Sequence, residues 1–426
     1  MVEARHRRWL VLSYFSAIDG MACAQHIDDR LPYLVKGGVV PVMLTGTCGS
    51  FSPEGIHVRV PSIAPSGLRF ELRHLKRKNR YVKLLAPLLT LLLLPCYLLE
   101  KLVIDLDSQW SWFPLAILRG FFLCGETRPE FIYSTGGPAS AHVAAAVISR
   151  WRDIPWIAEF QDPLVCDDWP RSDRALKVFT WLERFVCTRA NVVIFLTKGA
   201  KERADTRTGL GVRGKVIYPG AKAVENSALH YSRGEFCRFA HFGSLGGSRN
   251  LKVFLDGLSL MLEERPELAD LVRLDIFGTC DQLSHRLMKN FSHPQVITDF
   301  GRVPREESIA AMERSDILLL IQNTEEFSSE TIPSKVYEYL HTGRPILGLV
   351  YRNAELTEIL TGLGHLAVDA ASALEVKDGV ARMIEQWRSG GYIPRPSPYT
   401  VEAAVNSLIC IAAHLAGGNS PDASHG

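Results

Sequence analysis

The sequence predicts an α/β protein made of two Rossmann-like domains, each built on a parallel sheet. Apolar runs of strand length alternate with stretches of helical periodicity, and this alternation runs through the chain twice. Between the two series lies a polar, irregular stretch, 219–235, with the composition of a linker. A length of 426 residues suits two or three domains, each able to bury its own core. Hydrophobic content of 47% and charged content of 22% are those of a globular protein. A net charge of +2 argues against a general nucleic-acid binder. Nine cysteines, an odd number with no C-x-x-C pair, argue against a disulfide framework or a zinc site and fit a reducing compartment.

The first strand is read at 9–14. Arg5, Arg7 and Arg8 precede it, but the apolar run is short and leads into Asp19-Gly20, so it is read as a strand and not as a signal peptide. A helix is expected over 22–36, closed by Gly37-Gly38, and then a strand over 39–44. Gly20 sits at the carboxyl end of the first strand, where open α/β sheets bind ligands; a tight turn would equally account for it. A further strand at 131–133 precedes Gly136-Gly137-Pro138, which opens a helix to 149. His142 in its first turns is either structural or turned to a ligand. The strand at 155–159 ends at Gln161-Asp162-Pro163, and Asp162 is a candidate acceptor-binding group or proton acceptor, or else an Asp capping turn amides. Strands at 191–196 and 216–218 complete this half.

Residues 69–104 interrupt the pattern. Arg69, Arg73, Lys76, Arg77, Lys78, Arg80 and Lys83 crowd together, and ten leucines follow between Leu84 and Leu99. Cations beside leucines suit an anionic membrane surface, and the other reading is a buried helix with a solvated basic face. Sixteen residues reach only about 24 Å as a helix, short of the roughly 30 Å hydrocarbon core. Pro87 and Pro95 are each expected to disturb it, so seating on the membrane is expected, not crossing. Asp105-Leu106-Asp107 is formally a D-x-D metal motif, but two residues make a weak signal and no metal site is expected.

The second half opens with a strand at 237–242. Gly243, Ser244, Gly246, Gly247 and Arg249 then form a Gly-rich turn before a helix to 264. It lacks the Gly-Lys-Ser/Thr of a Walker loop, yet it permits close backbone approach to a pyrophosphate, with Arg249 pairing phosphate oxygens. Strands at 272–278 and from 296, and a helix through 312, lead to a buried run at 316–321. A polar loop follows, then Pro333 in a helix's first turn, a stripe of Val336, Tyr337, Tyr339 and Leu340, a stop at Gly343, and a strand at 346–350. The N–H groups of Ser334, Lys335 and Val336 make an anion site, to which Lys335 adds charge. Glu338, one turn in, is placed to accept from a ribose diol, and Glu330 lies in the loop, free to face a sugar. Residues 367–368, a helix at 374–387 and a turn at 394–398 end this half, and a last helix spans 400–415.

The string 330–346, with Glu330 and Glu338 bracketing Pro-Ser-Lys and running into Tyr-Glu-Tyr-Leu, resembles the E-x7-E donor site of retaining GT-B glycosyltransferases of the family 4-like group. The resemblance implies the GT-B fold, two Rossmann-like domains facing a cleft. Residues 1–218 are then the acceptor-side domain with an insertion at about 69–104. Residues 236–398 bind the nucleotide sugar, 399–416 cross back to the first domain, and 417–426 read as a disordered tail. The donor contacts implied are Gly243, Ser244, Gly246, Gly247 and Arg249, with Thr331, Ile332, Pro333, Ser334, Lys335 and Glu338; the backbone at Gly301, Arg302 and Val303 would meet the base. Asp162, Arg249, Glu330 and Lys335 carry the chemistry, and Gly20, His142 and Asp162 face the acceptor. The family's Arg-Asp-Pro-Trp stands here as Gln161-Asp162-Pro163-Leu164, so no role of that Arg transfers. The expected reaction is metal-free transfer, with retention, from a nucleotide-diphosphate sugar to a lipid-linked or saccharide acceptor. No cofactor beyond this co-substrate is expected. The setting implied is surface polysaccharide or lipopolysaccharide synthesis, peripheral on the cytoplasmic face of the plasma membrane, with no nucleic-acid partner and the oligomeric state open. A same-fold sugar-nucleotide epimerase and a non-enzymatic binding subunit are the alternatives.

Overall fold

The structure, a computed structural model, describes residues 7–18, 21–51, 54–75, 80–165, 171–222, 231–390 and 395–417, with the backbone alone at 75 and 80–84. Gly20 lies outside the described residues. The chain forms two compact units: Met1–Tyr218 with Val401–Gly426, and Pro219–Thr400.

The first unit runs β1 (Arg7–Leu12), α1 (Ala22–Lys36), β2 (Val39–Thr45), β3 (Ile56–Arg59), α2 (Pro65–Leu75), α3 (Arg80–Leu92), α4 (Leu94–Val103), α5 (Phe113–Thr127), β4 (Phe131–Gly136), α6 (Ser140–Arg152), β5 (Trp156–Phe160), α7 (Asp173–Arg189), β6 (Val192–Phe195), α8 (Lys198–Thr208) and β7 (Gly214–Val216). Its seven strands order as β3-β2-β1-β4-β5-β6-β7, all parallel. Central strands of such a sheet are covered on both faces, which is why β1 is buried from Trp9 to Leu12. Leu10, Leu12 and Ile132 pack with Ala116, Leu123, Ala141 and Ala145 on one side. On the other, Trp9, Val11, Ile27 and Leu31 pack with Val405, Leu408 and Ala412.

The second unit runs β8 (Cys237–Phe242), α9 (Lys252–Glu264), β9 (Val272–Phe277), α10 (Gln282–Lys289), β10 (Ile297–Gly301), α11 (Arg305–Arg314), β11 (Ile317–Ile321), α12 (Lys335–Leu340), β12 (Ile346–Val350), α13 (Ala354–Gly362), β13 (Leu366–Asp369) and α14 (Ala373–Ser389). Its sheet, β10-β9-β8-β11-β12-β13, is also parallel. The last helix, α15 (Val401–Gly417), belongs to the first unit and carries the Val405, Leu408 and Ala412 packed there. In each sheet the strand order reverses beside the first strand, at β1/β4 and at β8/β11, and such reversals leave a crevice at the strands' carboxyl ends.

The leucine-rich stretch is two helices, α3 and α4, bent by 46°. Pro87 points outward from α3 and the chain stays helical through it, contrary to the expected disturbance; the break falls at Leu93, with Pro95 in the first turn of α4. Glu100 anchors the pair from its inner side, accepting from Ser66 N–H at 2.8 Å and Trp110 Nε1 at 2.7 Å. Leu88, Leu91, Leu92, Leu98, Leu99 and Leu102 stay exposed, from 55% to 72%. Arg69 is not part of an exposed basic face. It is buried, donates to the Thr90 carbonyl and lies over the Tyr97 ring. Arg73 is exposed; Lys76, Arg77 and Lys78, and the side chains of Arg80 and Lys83, lie outside the described residues.

Candidate functional site

At the β8/β11 reversal, three turns of the second unit are tied together by their backbones. Gly243 N–H donates to Phe277 O at 2.8 Å, Leu245 N–H to Thr279 O at 2.9 Å, and Gly278 N–H to Gly301 O at 2.7 Å. A Cβ on Gly278 would lie 1.9 Å from Gly243 O, so only glycine lets these turns approach. Gly301 holds φ +63, and its N–H donates to the Asp299 carboxylate at 2.9 Å. Phe242, Phe277 and Phe300 stack face to face at 4.6 and 4.5 Å and stiffen the base of this group. Ser244, Gly246, Gly247 and Arg302 are exposed, and Val303 is half-buried.

Cations gather over these turns. Burial depresses the Arg249 guanidinium, nearby Glu325 opposes the shift, and the buried Arg249 Nε has no hydrogen-bond partner. His241, at the end of β8, gives Nδ1 to the Leu319 carbonyl at 3.0 Å, and its Nε2 is buried and unpartnered. Burial pushes His241 down to about 4, and the charges of Arg249 and Lys335 add to the shift, so the ring is neutral at pH 7. Ser248 Oγ donates to Glu325 at 2.9 Å, linking the Gly-rich turn to the loop after β11.

The α12 start differs from the expected one. The helix begins at Lys335 and spans six residues, with Pro333 and Ser334 before it. The Val336 N–H is not free, since it donates to Pro333 O at 3.0 Å in a tight first turn. Lys335 is held, not mobile: its Nζ lies 2.7 Å from Glu338, which also meets Arg305 at 3.0 Å. Glu330 does not stand free in the loop. It closes a 3₁₀ turn, Glu326–Ser329, and is 3% exposed. Thr331, Ile332 and Pro333 are half-buried and Ser334 is exposed.

Two residues invisible to motif reading hold this loop from below. Gln322 Nε2 donates to Ser328 O at 2.5 Å and Thr331 O at 3.1 Å. Asn353 Nδ2 donates to the same carbonyls at 2.6 and 2.9 Å. Tyr351 N–H fixes the Gln322 amide oxygen at 2.9 Å, and the Tyr339 hydroxyl accepts from Phe242 N–H at 2.9 Å, locking α12 to β8. Arg305 and His241 were likewise not singled out by the sequence.

In the first unit, His142 is structural. It is fully buried, 2.9 Å from Ser134 Oγ and edge-on to Phe160, and burial pushes it down to about 4. A different histidine stands at the strands' carboxyl ends. His26 Nε2 lies 2.6 Å from Glu159, which also accepts from Thr135 at 2.8 Å and is ion-paired to Arg30. Burial alone would raise the Glu159 carboxyl; Arg30 and His26 outweigh it and hold it far below the usual range. Gln161 donates to Thr135 Oγ1 at 3.1 Å, and exposed Asp162 lies near Cys23, whose thiol burial and this carboxylate push up to about 11. Among the described residues no group of three or more His, Cys, Asp or Glu is arranged to hold a metal.

Residues 42–220 match the family model of the glycosyl transferase 4-like domain. The fold of the chain is GT-B, shared along almost its whole length with solved structures. The Anabaena protein HepE, solved with UDP, aligns at 15% identity over 97% of this chain and 99% of its own, with a TM-score of 0.56. The trehalose 6-phosphate synthase of Burkholderia multivorans aligns at 13% over 99% of both chains, with a TM-score of 0.61. The lipopolysaccharide outer core galactosyltransferase WaaB aligns at 13% over 95% and 99%, with a TM-score of 0.57. No curated protein sequence matches.

Proposed function

We propose that this GT-B protein moves a sugar from a nucleoside-diphosphate sugar, with UDP the first nucleotide to try, to an acceptor presented at a membrane surface. The reading rests above all on Arg249, Lys335 and His241 converging at the β8/β11 reversal, beside a Glu338 already held by two cations. HepE was solved with UDP, which guides the choice of nucleotide.

Bond cleavage at the anomeric carbon leaves negative charge on the diphosphate. Arg249, Lys335 and the open backbone of the Gly-rich turn meet that charge as preorganised donors, without a metal. Glu338 takes the ribose hydroxyls and keeps Lys335 aimed. The acceptor oxygen bonds the anomeric carbon on the face the phosphate leaves, and its proton passes to the departing phosphate oxygen, which gives retention. The loop clasped by Gln322 and Asn353 holds the sugar.

Membrane seating is supported by the exposed leucines of α3 and α4. The two helices together have the length and composition of a span, but no single helix among the described residues does. One crossing there would divide β1 to β3 from β4 to β7, yet β1 pairs directly with both β2 and β4. The pair therefore dips into one leaflet, the cytoplasmic one, where surface polysaccharide or lipopolysaccharide precursors are assembled.

A thermal-shift screen of nucleoside diphosphates and their sugars tests the donor: the true one raises the melting temperature by mass action. Lys335→Ala and Arg249→Ala should each lower turnover by about two orders of magnitude. Turnover abolished by EDTA and restored by Mn²⁺ would overturn the metal-free scheme, and no stabilisation by any nucleotide would overturn the donor site.

A further inference from the structure

The membrane-facing surface does not end with the leucines. Helix α7 buries Phe179, Leu182, Glu183 and Val186, and turns a second set of side chains outward. These are Arg174, Lys177, Val178, Trp181, Arg184 and Arg189, all exposed, with the Trp181 indole 59% exposed and stacked 5.2 Å from the half-buried Phe185. At 3.6 residues per turn they fall within an arc of about 140°. Four cations share that arc with an exposed tryptophan. The helix has two carboxylates: Asp173 lies in its first turn, and Glu183 is buried against Arg207 at 2.7 Å. An indole flanked by arginines is the composition of the bilayer's headgroup level, where the ring lies flat and the cations meet phosphates.

Position joins this face to the leucines. Arg174 Nη2 donates to the Leu102 carbonyl at 3.3 Å, at the end of α4, so the first turn of α7 abuts the last turn of the leucine pair. We propose that the outer face of α7 is a second membrane contact, seated on anionic phospholipid headgroups and centred on Trp181. It rests on the membrane reading above and deepens it. The leucine pair supplies insertion, and α7 supplies charge recognition and fixes the angle at which the first unit lies on the bilayer. Partners other than lipid are weighed by the same charge pattern: a second copy of the chain would have to place four cations against a face of like charge.

Flotation of the full chain with phosphatidylglycerol-containing and phosphatidylcholine-only vesicles tests this. Val178→Asp with Trp181→Asp, and separately Arg184→Glu with Arg189→Glu, should each weaken partition into the anionic vesicles by about tenfold or more, with the UDP-induced thermal shift unchanged. The charge pair should not alter binding to neutral vesicles. If both α7 variants float like wild type while Leu88→Asp with Leu92→Asp is released, the α7 inference is wrong and the membrane reading stands. If wild type floats with neither vesicle, both fall. If the α7 variants float normally and instead change the sedimentation mass, the face joins copies of the chain and the lipid assignment is overturned.

Discussion

Glu338→Gln separates two roles of one carboxylate by the sign of its effect. Glu338 lies 2.7 Å from Lys335 and 3.0 Å from Arg305 and is only 15% exposed. If it accepts ribose hydroxyls, its charge-assisted bonds are worth about 1.5–3 kcal/mol, and an amide recovers part of one. UDP should then bind about 10- to 150-fold more weakly. If Glu338 only neutralises the two cations, the outcome reverses, because both are left facing the diphosphate and affinity rises. Titration calorimetry with UDP and with uridine resolves the two. The ribose role predicts parallel losses for both ligands, and a larger salt dependence of UDP binding once the carboxylate is gone. Unchanged uridine affinity, or tighter UDP binding, would refute the ribose assignment.

Three further outcomes follow from the geometry. Leu88→Asp, Leu91→Asp and Leu92→Asp together should release the protein from anionic vesicles and leave the nucleotide-induced thermal shift intact; retention on vesicles would remove the leucines from membrane contact. Gln322→Met removes the two Gln322 hydrogen bonds under the loop, leaving those of Asn353, and should cut kcat by about tenfold, with 1–3 kcal/mol lost from the clasp; loop amides at 323–334 exchanging no faster than in wild type would contradict it. His142 and His57 are both depressed to about 4 in the first unit, so the unfolded chain binds more protons than the folded one between pH 6.5 and 4. Stability of that unit should therefore be full above pH 6.5 and fall as pH drops toward 4. His142→Phe should make the decline shallower by up to about 3 kcal/mol, read by urea unfolding at each pH, given a shift from 6.5 to about 4; an unaltered slope would count against the shift.

The buried strands were legible because parallel sheets demand continuous apolar runs, as at Ile317–Ile321 and Ile346–Val350. Strand β3 was not read: four residues, none of them buried, carry no such run. Helices α7, α8, α10 and α13 also escaped. In α7 the outward Val178 and Trp181 blur the apolar stripe that marks a core-facing helix. The residues of the E-x7-E string are local, so their spacing is visible in sequence, and the Gly-rich turn likewise. His241, Arg305, Gln322 and Asn353 acquire meaning only through neighbours set by strand order. Asn353, for instance, reaches back to Ser328 across β12. His142 misled for the same reason. Its place in a helix near a strand end is legible, but Phe160 and Ser134 closing over it are not.

Helix α15 has a consequence for how the chain is made. Trp9 and Val11 are covered in part by Val405, Leu408 and Ala412, which are translated after the whole of the second unit. Synthesis of residues 219–400 at cellular rates takes about 10–40 s. Throughout that interval the first sheet holds an apolar face that α1 covers only in part, while residues 219–400 of the second unit are all being made. The nascent protein therefore completes its later unit before its earlier one, and chaperone demand should concentrate on the α1 side of the first sheet until the final helix emerges and docks.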